Sequence, residues 1–123
     1  MIGKQAQEFI NTNQYEIIHK KTTESTMLDV KDFISKNNKN CIFLSDKQSK
    51  GKGRRDNVWY SPSGNIYCSL SFNNFLELKN HFLYSVLIAV TIKGVLEKFK
   101  VKKIKFKWPN DIFYENKKFS GII

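Results

Sequence analysis

"KQSKGKGRRDNVWYSPSGNIYCSL", residues 47–70, changes character at Gly64. Up to that point Lys, Gly, Ser and Asn dominate, and Pro62 and Gly64 punctuate the end, which is the composition of a loop. From Asn65 to Phe72, in NIYCSLSF, apolar and other residues alternate. Ile66, Cys68, Leu70 and Phe72 share one face, as a half-buried strand requires. Upstream, CIFLSD (41–46) is a short buried strand. Before it, ESTMLDVKDFISKNN (24–38) carries a partly apolar face of Leu28, Val30, Phe33 and Ile34 and reads as a helix. Ser25 or Thr26 is placed to cap its first turn by accepting a backbone N–H bond, and the Asn-rich run 37–40 ends it. YEIIHK (15–20) is a further strand, behind a polar lead-in of residues 1–14.

Downstream, HFLYSVLIAVTIKGVLEKF (81–99) is apolar nearly all round and predicts a buried helix. KIKFKW (103–108) alternates Lys with apolar residues. Pro109-Asn110 interrupts the strand, DIFY resumes it, and ENKK (115–118) reads as a hairpin turn before FSGII. Helices and strands mix without strict βαβ alternation, which favours an α+β domain with a mixed or mostly antiparallel sheet. At 123 residues, one small domain is expected. The apolar Gly121-Ile122-Ile123 end reads as a truncation, because termini are usually polar.

The charge is +10, carried by 21 Lys plus Arg against 11 Asp plus Glu. It fits a nucleic acid or other polyanionic ligand. Nineteen lysines and twelve asparagines favour instead a Lys/Asn-rich chain with lysines scattered over a solvated surface. Cys41 and Cys68 are unclustered, and His19 and His81 are isolated, so a zinc site and a disulfide framework are both disfavoured. Reduced core or near-core thiols are expected. With no signal peptide and no apolar run near the ~20 residues a membrane span needs, a cytoplasmic protein is expected.

The two arginines of the chain stand side by side in the loop, at Arg54 and Arg55. Their planar forks suit a carboxylate or phosphate gripped by two bonds, which lysine cannot do. Lys50 and Lys52 add point charge. Gly51 and Gly53 permit positive φ and close backbone approach to a ligand. The alternative is an exposed basic turn. The tetrapeptide Trp108-Pro109-Asn110-Asp111 combines a fixed φ with two turn-forming polar residues, and Lys118 follows on the return strand.

Taken together, ESTM, KQSKGKGRRDNVWYSPSGNIYCSL, KWPND and KKFSGII, in this order, resemble the catalytic domain of biotin protein ligase (biotin–[acetyl-CoA-carboxylase] ligase) over residues 15–123. Lys52 stands where the family loop has Arg, Asp56-Asn57 where it has Gly-Arg, and Met27 where Asn or Asp is usual. The resemblance implies a fold like class II aminoacyl-tRNA synthetases, present in part, with the later sheet strands, the C-terminal β domain and any DNA-binding domain lacking. It implies attack of the biotin carboxylate on the α-phosphate of ATP, with Mg2+, then transfer from biotinyl-5′-AMP to a lysine of the biotin carboxyl carrier protein of acetyl-CoA or propionyl-CoA carboxylase.

By the same resemblance, Ser25, Thr26, Met27, Gln48, Lys52, Gly53, Arg54 and Lys118 bind biotin. Gly51, Lys52, Gly53, Arg54 and Arg55 form the phosphate and adenylate loop. Lys118 contacts the biotin carboxylate and α-phosphate, and Asp111 orients the acceptor lysine. Trp59 and Trp108 are read as packing residues. A lipoate–protein ligase of the same superfold, a small basic nucleic-acid-binding module and an inactive ligase remnant stand as alternatives.

Overall fold

The computed structural model describes residues 3–12, 14–72 and 82–123. Two compact units divide the chain, Met1–Asn74 and Phe75–Ile123.

In the first unit, the lead-in carries helix α1 (Lys4–Thr12). Strand β1 (Glu16–Lys20), helix α2 (Thr26–Asn37), strand β2 (Cys41–Ser45) and strand β3 (Tyr67–Leu70) follow. The sheet order is β1-β2-β3. β1 pairs parallel with β2, Glu16 opposite Cys41 through Lys20 opposite Ser45. β3 pairs antiparallel with β2, Ile42 opposite Leu70. Parallel neighbours need a crossover, and α2 supplies it. The sheet is therefore mixed, within an α+β arrangement.

α2 lays Val30 and Phe33 on Cys41 and Phe43, with Ile18 alongside. The Phe33 and Phe43 rings meet edge to face at 5.8 Å, a favoured aromatic geometry. Asp29 in the first turn of α2 accepts from Lys20 Nζ at 2.7 Å and Thr23 Oγ1 at 2.6 Å. A carboxylate there also complements the helix dipole, so the start of α2 is tied to the end of β1. Asn38 closes the helix in the left-handed conformation, φ 47°, as asparagine tolerates.

β3 departs from expectation in its facing. Tyr67 is buried, whereas Cys68 and Leu70 are exposed and Ile66 is 85% exposed. The alternation is present, but the inward phase is Tyr67, Ser69 and Ser71. Tyr67 Oη donates to the Pro62 carbonyl at 2.8 Å, Ser69 Oγ lies 2.8 Å from Thr26 Oγ1, and Ser71 Oγ accepts the Cys41 N–H at 2.9 Å. The polar start of α2 lies on that side, so serines meet it better than apolar residues do. Of the cysteines, Cys41 is buried; Cys68, expected near the core, is exposed.

In the second unit, α3 (Phe82–Lys98) precedes an antiparallel meander of β4 (Ile104–Lys107), β5 (Asp111–Tyr114) and β6 (Lys117–Gly121). Ile112 on the central strand is fully buried. α3 is less buried than its all-round apolarity suggests. Ser85 and Ala89, one turn apart, are buried, while Leu87 and Val90 are 51% and 55% exposed. A helix apolar on every side needs neighbours on every side, and the described part of this unit offers one three-stranded sheet.

The end of α3 is closed by Lys100 N–H to Glu97 O and Val101 N–H to Leu96 O, with Lys100 at φ 60°. This is a Schellman closure with lysine where glycine is usual. The Trp108–Pro109 peptide bond is cis. Among the described residues, no helix is long and apolar enough to cross a membrane.

Candidate functional site

Ser25 begins α2 from an extended conformation, but its side chain makes no capping hydrogen bond. The cap comes from Gln48. Gln48 Oε1 accepts from the Thr26 N–H at 2.9 Å and lies 3.2 Å from Thr26 Oγ1. Gln48 Nε2 donates to Ser61 Oγ at 3.0 Å, and Ser61 Oγ donates to the Trp59 carbonyl at 2.9 Å. Ser69 Oγ completes the chain at Thr26 Oγ1. Thr26 and Ser61 are 4% and 3% exposed, so this is an interior polar network in which each bond left unmade would be costly.

The sense of the network follows from its ends. A backbone N–H only donates and a backbone carbonyl only accepts. Hence Oε1 faces Thr26, and Nε2 faces Ser61. Both lone-pair directions of Oε1 are used, while Nε2 keeps a second N–H. Thr26 Oγ1 and Ser69 Oγ keep accepting capacity. A small molecule reaching this cluster would meet a donor beside acceptors.

The basic loop grows from the same anchor. Gln48 N–H donates to Ser61 O at 3.1 Å, Trp59 N–H to Gly51 O at 2.8 Å, and Gly53 N–H to Asn57 O at 2.7 Å. The chain therefore runs out and back as a narrow hairpin. The two glycines serve different ends. A Cβ on Gly51 would lie 2.4 Å from both Ser61 Oγ and the Trp59 carbonyl oxygen, whereas one on Gly53 would meet nothing closer than 3.6 Å. Gly51 is demanded by the close approach of two backbone segments, and packing leaves Gly53 unconstrained.

Neither glycine uses a left-handed conformation. That is taken at the tip by Arg55 and Asp56, at φ 56° and 58°. Asp56→Gly is expected to stabilise the chain by about 0.5–1 kcal/mol, since glycine adopts this region without Cβ strain; urea unfolding of the two chains measures it.

Arg54 is half-buried at the tip, and Arg55 is exposed. Lys52 lies 3.5 Å from Asp56, and Lys50 lies 2.8 Å from Glu24. The structure thus brings Thr26 and Gln48 into direct contact and joins them through Ser61 to the hairpin carrying Gly51, Lys52, Gly53, Arg54 and Arg55. Ser25 is buried beside them and Met27 is half-buried in the first turn. Among the described residues, neither side chain bonds to Gln48. Sequence reasoning missed Ser61 and Ser69. The inward serine phase of NIYCSLSF was the available signal for Ser69; Ser61 carried none.

In the second unit, Lys118 Nζ lies 2.7 Å from Asp111 Oδ1. Lys118 is opposite Phe113, and a bulge shifts the pairing so that Ile112 faces Ser120 and Asp111 faces Gly121. Asp111, Phe113 and Lys118 therefore share one face of the β5–β6 hairpin, and a long lysine side chain spans the diagonal. The Asp111 side chain is 18% exposed and that of Lys118 is 37% exposed.

Six further lysines of the described residues are ion-paired, at positions 20, 36, 50, 52, 93 and 103. They spread over both units, as scattered surface lysines do.

The model of the biotin/lipoate A/B protein ligase family matches residues 16–123. The chain is 32% identical over 81 residues to the bifunctional ligase/repressor BirA of Escherichia coli, covering 65% of this chain and 25% of that protein. It is 28% identical over 116 residues to the human biotin–protein ligase, covering 87% of this chain and 16% of that one. Thus it spans about a quarter or less of these relatives.

Among solved structures, the biotin protein ligase of Aquifex aeolicus in complex with biotin and ATP superposes with a TM-score of 0.75 at 28% identity. The match covers 88% of this chain and 45% of that one. The biotin acetyl coenzyme A carboxylase synthetase of Helicobacter pylori gives a TM-score of 0.78 at 22% identity, covering 89% and 54%, a likeness of fold.

Proposed function

The chain belongs to the biotin/lipoate A/B protein ligase family, and from that premise we propose that it serves the ATP-dependent attachment of biotin to a lysine of a biotin carboxyl carrier protein. The observation that carries the choice of biotin is the Thr26–Gln48–Ser61 network. Biotin's bicyclic urea offers one carbonyl and two N–H groups to a donor beside acceptors. The dithiolane of lipoate offers none, and would leave the second Nε2 hydrogen of Gln48 and the remaining lone pairs of Thr26 and Ser69 unmatched, an effective way for a polar site to reject an analogue. The biotin and ATP bound to the Aquifex relative support the same substrates here.

In the first step, a biotin carboxylate oxygen bonds to the α-phosphorus of ATP, the bond from that phosphorus to the bridging oxygen breaks, and pyrophosphate leaves. Mg2+ travels with the phosphates. In the second, the carrier lysine's amine attacks the biotinyl carbonyl, a C–N bond forms, a proton is released and AMP leaves.

Negative charge gathers on the phosphoryl oxygens, and fixed cationic donors oppose it better than mobile water. That work falls to Arg54 on the loop and to Lys118. Ser25, Thr26, Met27, Gln48 and Gly53 are assigned to biotin, and Gly51, Lys52 and Arg55 to the shape and charge of the loop. Asp111 is assigned to the acceptor amine. Lysine pairs dispersed over both units do not favour a nucleic-acid track.

Arg54→Ala is expected to weaken binding of biotinyl-adenylate by about 1.5–3 kcal/mol, the scale of a charge-assisted hydrogen bond. Calorimetric titration of both chains decides; equal affinities would take Arg54 out of the site.

A further inference from the structure

We propose that Ser61 is a positioning residue, which sets the direction of the Gln48 carboxamide and thereby what the site offers a ligand. The inference rests on the biotin reading above and adds to it a residue that touches Gln48 rather than substrate.

A glutamine amide is nearly symmetric in shape, and its two ends are opposite in hydrogen bonding. One end of Gln48 must be the oxygen, because it receives the Thr26 N–H. The Thr26 hydroxyl gives the same oxygen a second bond, and both of these bonds hold the oxygen end and leave the placing of Nε2 to its own partner. Ser61 is that partner. Its hydroxyl hydrogen is committed to the Trp59 carbonyl at 2.9 Å. Its lone pair is therefore the side presented to Gln48, and Nε2 donates to it at 3.0 Å. The hydroxyl cannot turn round without giving up a bond in a nearly water-free position, where Ser61 is 3% exposed.

Ser61 is in turn held by its own backbone, whose carbonyl accepts the Gln48 N–H at 3.1 Å. Main chain and side chain thus make two parallel links between residues 48 and 61. The remaining Nε2 hydrogen is left pointing in one fixed direction. A donor fixed beforehand loses less freedom when a ligand's carbonyl arrives. Such an effect belongs to binding, not to the chemical step, because Ser61 holds the recognition group and not the reacting atoms.

Ser61→Ala is expected to raise the biotin Kd, and KM for biotin, about tenfold, with kcat held within about twofold, the loss of one modest hydrogen bond's worth of ordering. Ser61→Thr keeps the hydroxyl and is expected to return the affinity to within about threefold. A second readout needs no biotin. In nitrogen-15-labelled protein, the Gln48 side-chain amide signals should shift and exchange faster in Ser61→Ala, under conditions where its circular dichroism shows it folded. A folded Ser61→Ala with unchanged Kd, or with unmoved Gln48 amide signals, would overturn the proposal. A wild-type chain that binds no biotin would count against the functional reading, and the amide signals would still decide whether Ser61 holds Gln48.

Discussion

Gly51→Ala is expected to cost about 3 kcal/mol of stability, the upper range for forcing a methyl into filled space, and to lower the melting temperature by roughly 10–20 °C in a domain of this size. The new Cβ would lie 2.4 Å from the Trp59 carbonyl oxygen and from Ser61 Oγ, and 3.1 Å from Gln48 Nε2. The first is backbone and is held in place by the Trp59 N–H bond to Gly51 O. Relief therefore requires the hairpin to open, and opening it pulls Ser61 from Gln48. Gly53→Ala two residues away is the control. Its φ of −101° suits any residue and nothing crowds it, so its stability should stay within about 0.5 kcal/mol of the parent. If the loop backbone receives a ligand at Gly53, that variant will nevertheless bind biotin more weakly. Thermal melts and biotin titrations on the pair separate a glycine needed by the fold from one needed by the ligand. Equal melting temperatures for the parent and Gly51→Ala would contradict the geometry.

Lys118→Ala is expected to slow formation of biotinyl-adenylate by about 10²–10³-fold, the cost of removing one group that opposes developing charge. Some stability should be lost as well, because the Asp111 carboxylate is only 18% exposed and loses its cation, so a thermal melt of the variant accompanies the rate measurement. Asp111→Asn should behave differently. It leaves the cation in place, so pyrophosphate release without a carrier should persist while transfer to the carrier lysine slows. Measuring the two half-reactions separately tests the division of labour. Parallel losses in both half-reactions for both variants would show that the pair acts as one structural unit.

Much of this architecture is legible in the residues, and the failures have physical causes. CIFLSD reads as a buried strand because a short apolar run between turn signals has few other uses, and β2 lies there. The alternation of NIYCSLSF marks a strand but does not say which phase faces in. Apolar residues are the usual guess, and it fails because the interior beside Thr26 is polar. α2 is legible, but its cap is not, since Gln48 arrives from 22 residues away and no local pattern announces it. The glycines of GKGRR look alike in sequence; only the return of the chain through Trp59 and Ser61 distinguishes Gly51 from Gly53. The left-handed turn falls on Arg55 and Asp56, where no glycine marks it. Lys118 carries no signal by itself among so many lysines, and only its place after KWPND in the family resemblance singles it out.

Recognition of biotin's urea by Gln48 and Thr26, with Ser61 holding Gln48 in place, is tested most directly by calorimetric titration of the folded chain with biotin and, separately, with lipoate. Biotin should bind, lipoate should bind at least about 10²-fold more weakly, a floor below the about 10⁴–10⁵-fold by which a hydrogen-bonding site can refuse an analogue without matching groups, and Gln48→Leu should remove the preference. Lipoate binding as tightly as biotin, or biotin binding undiminished in Gln48→Leu, would contradict the account.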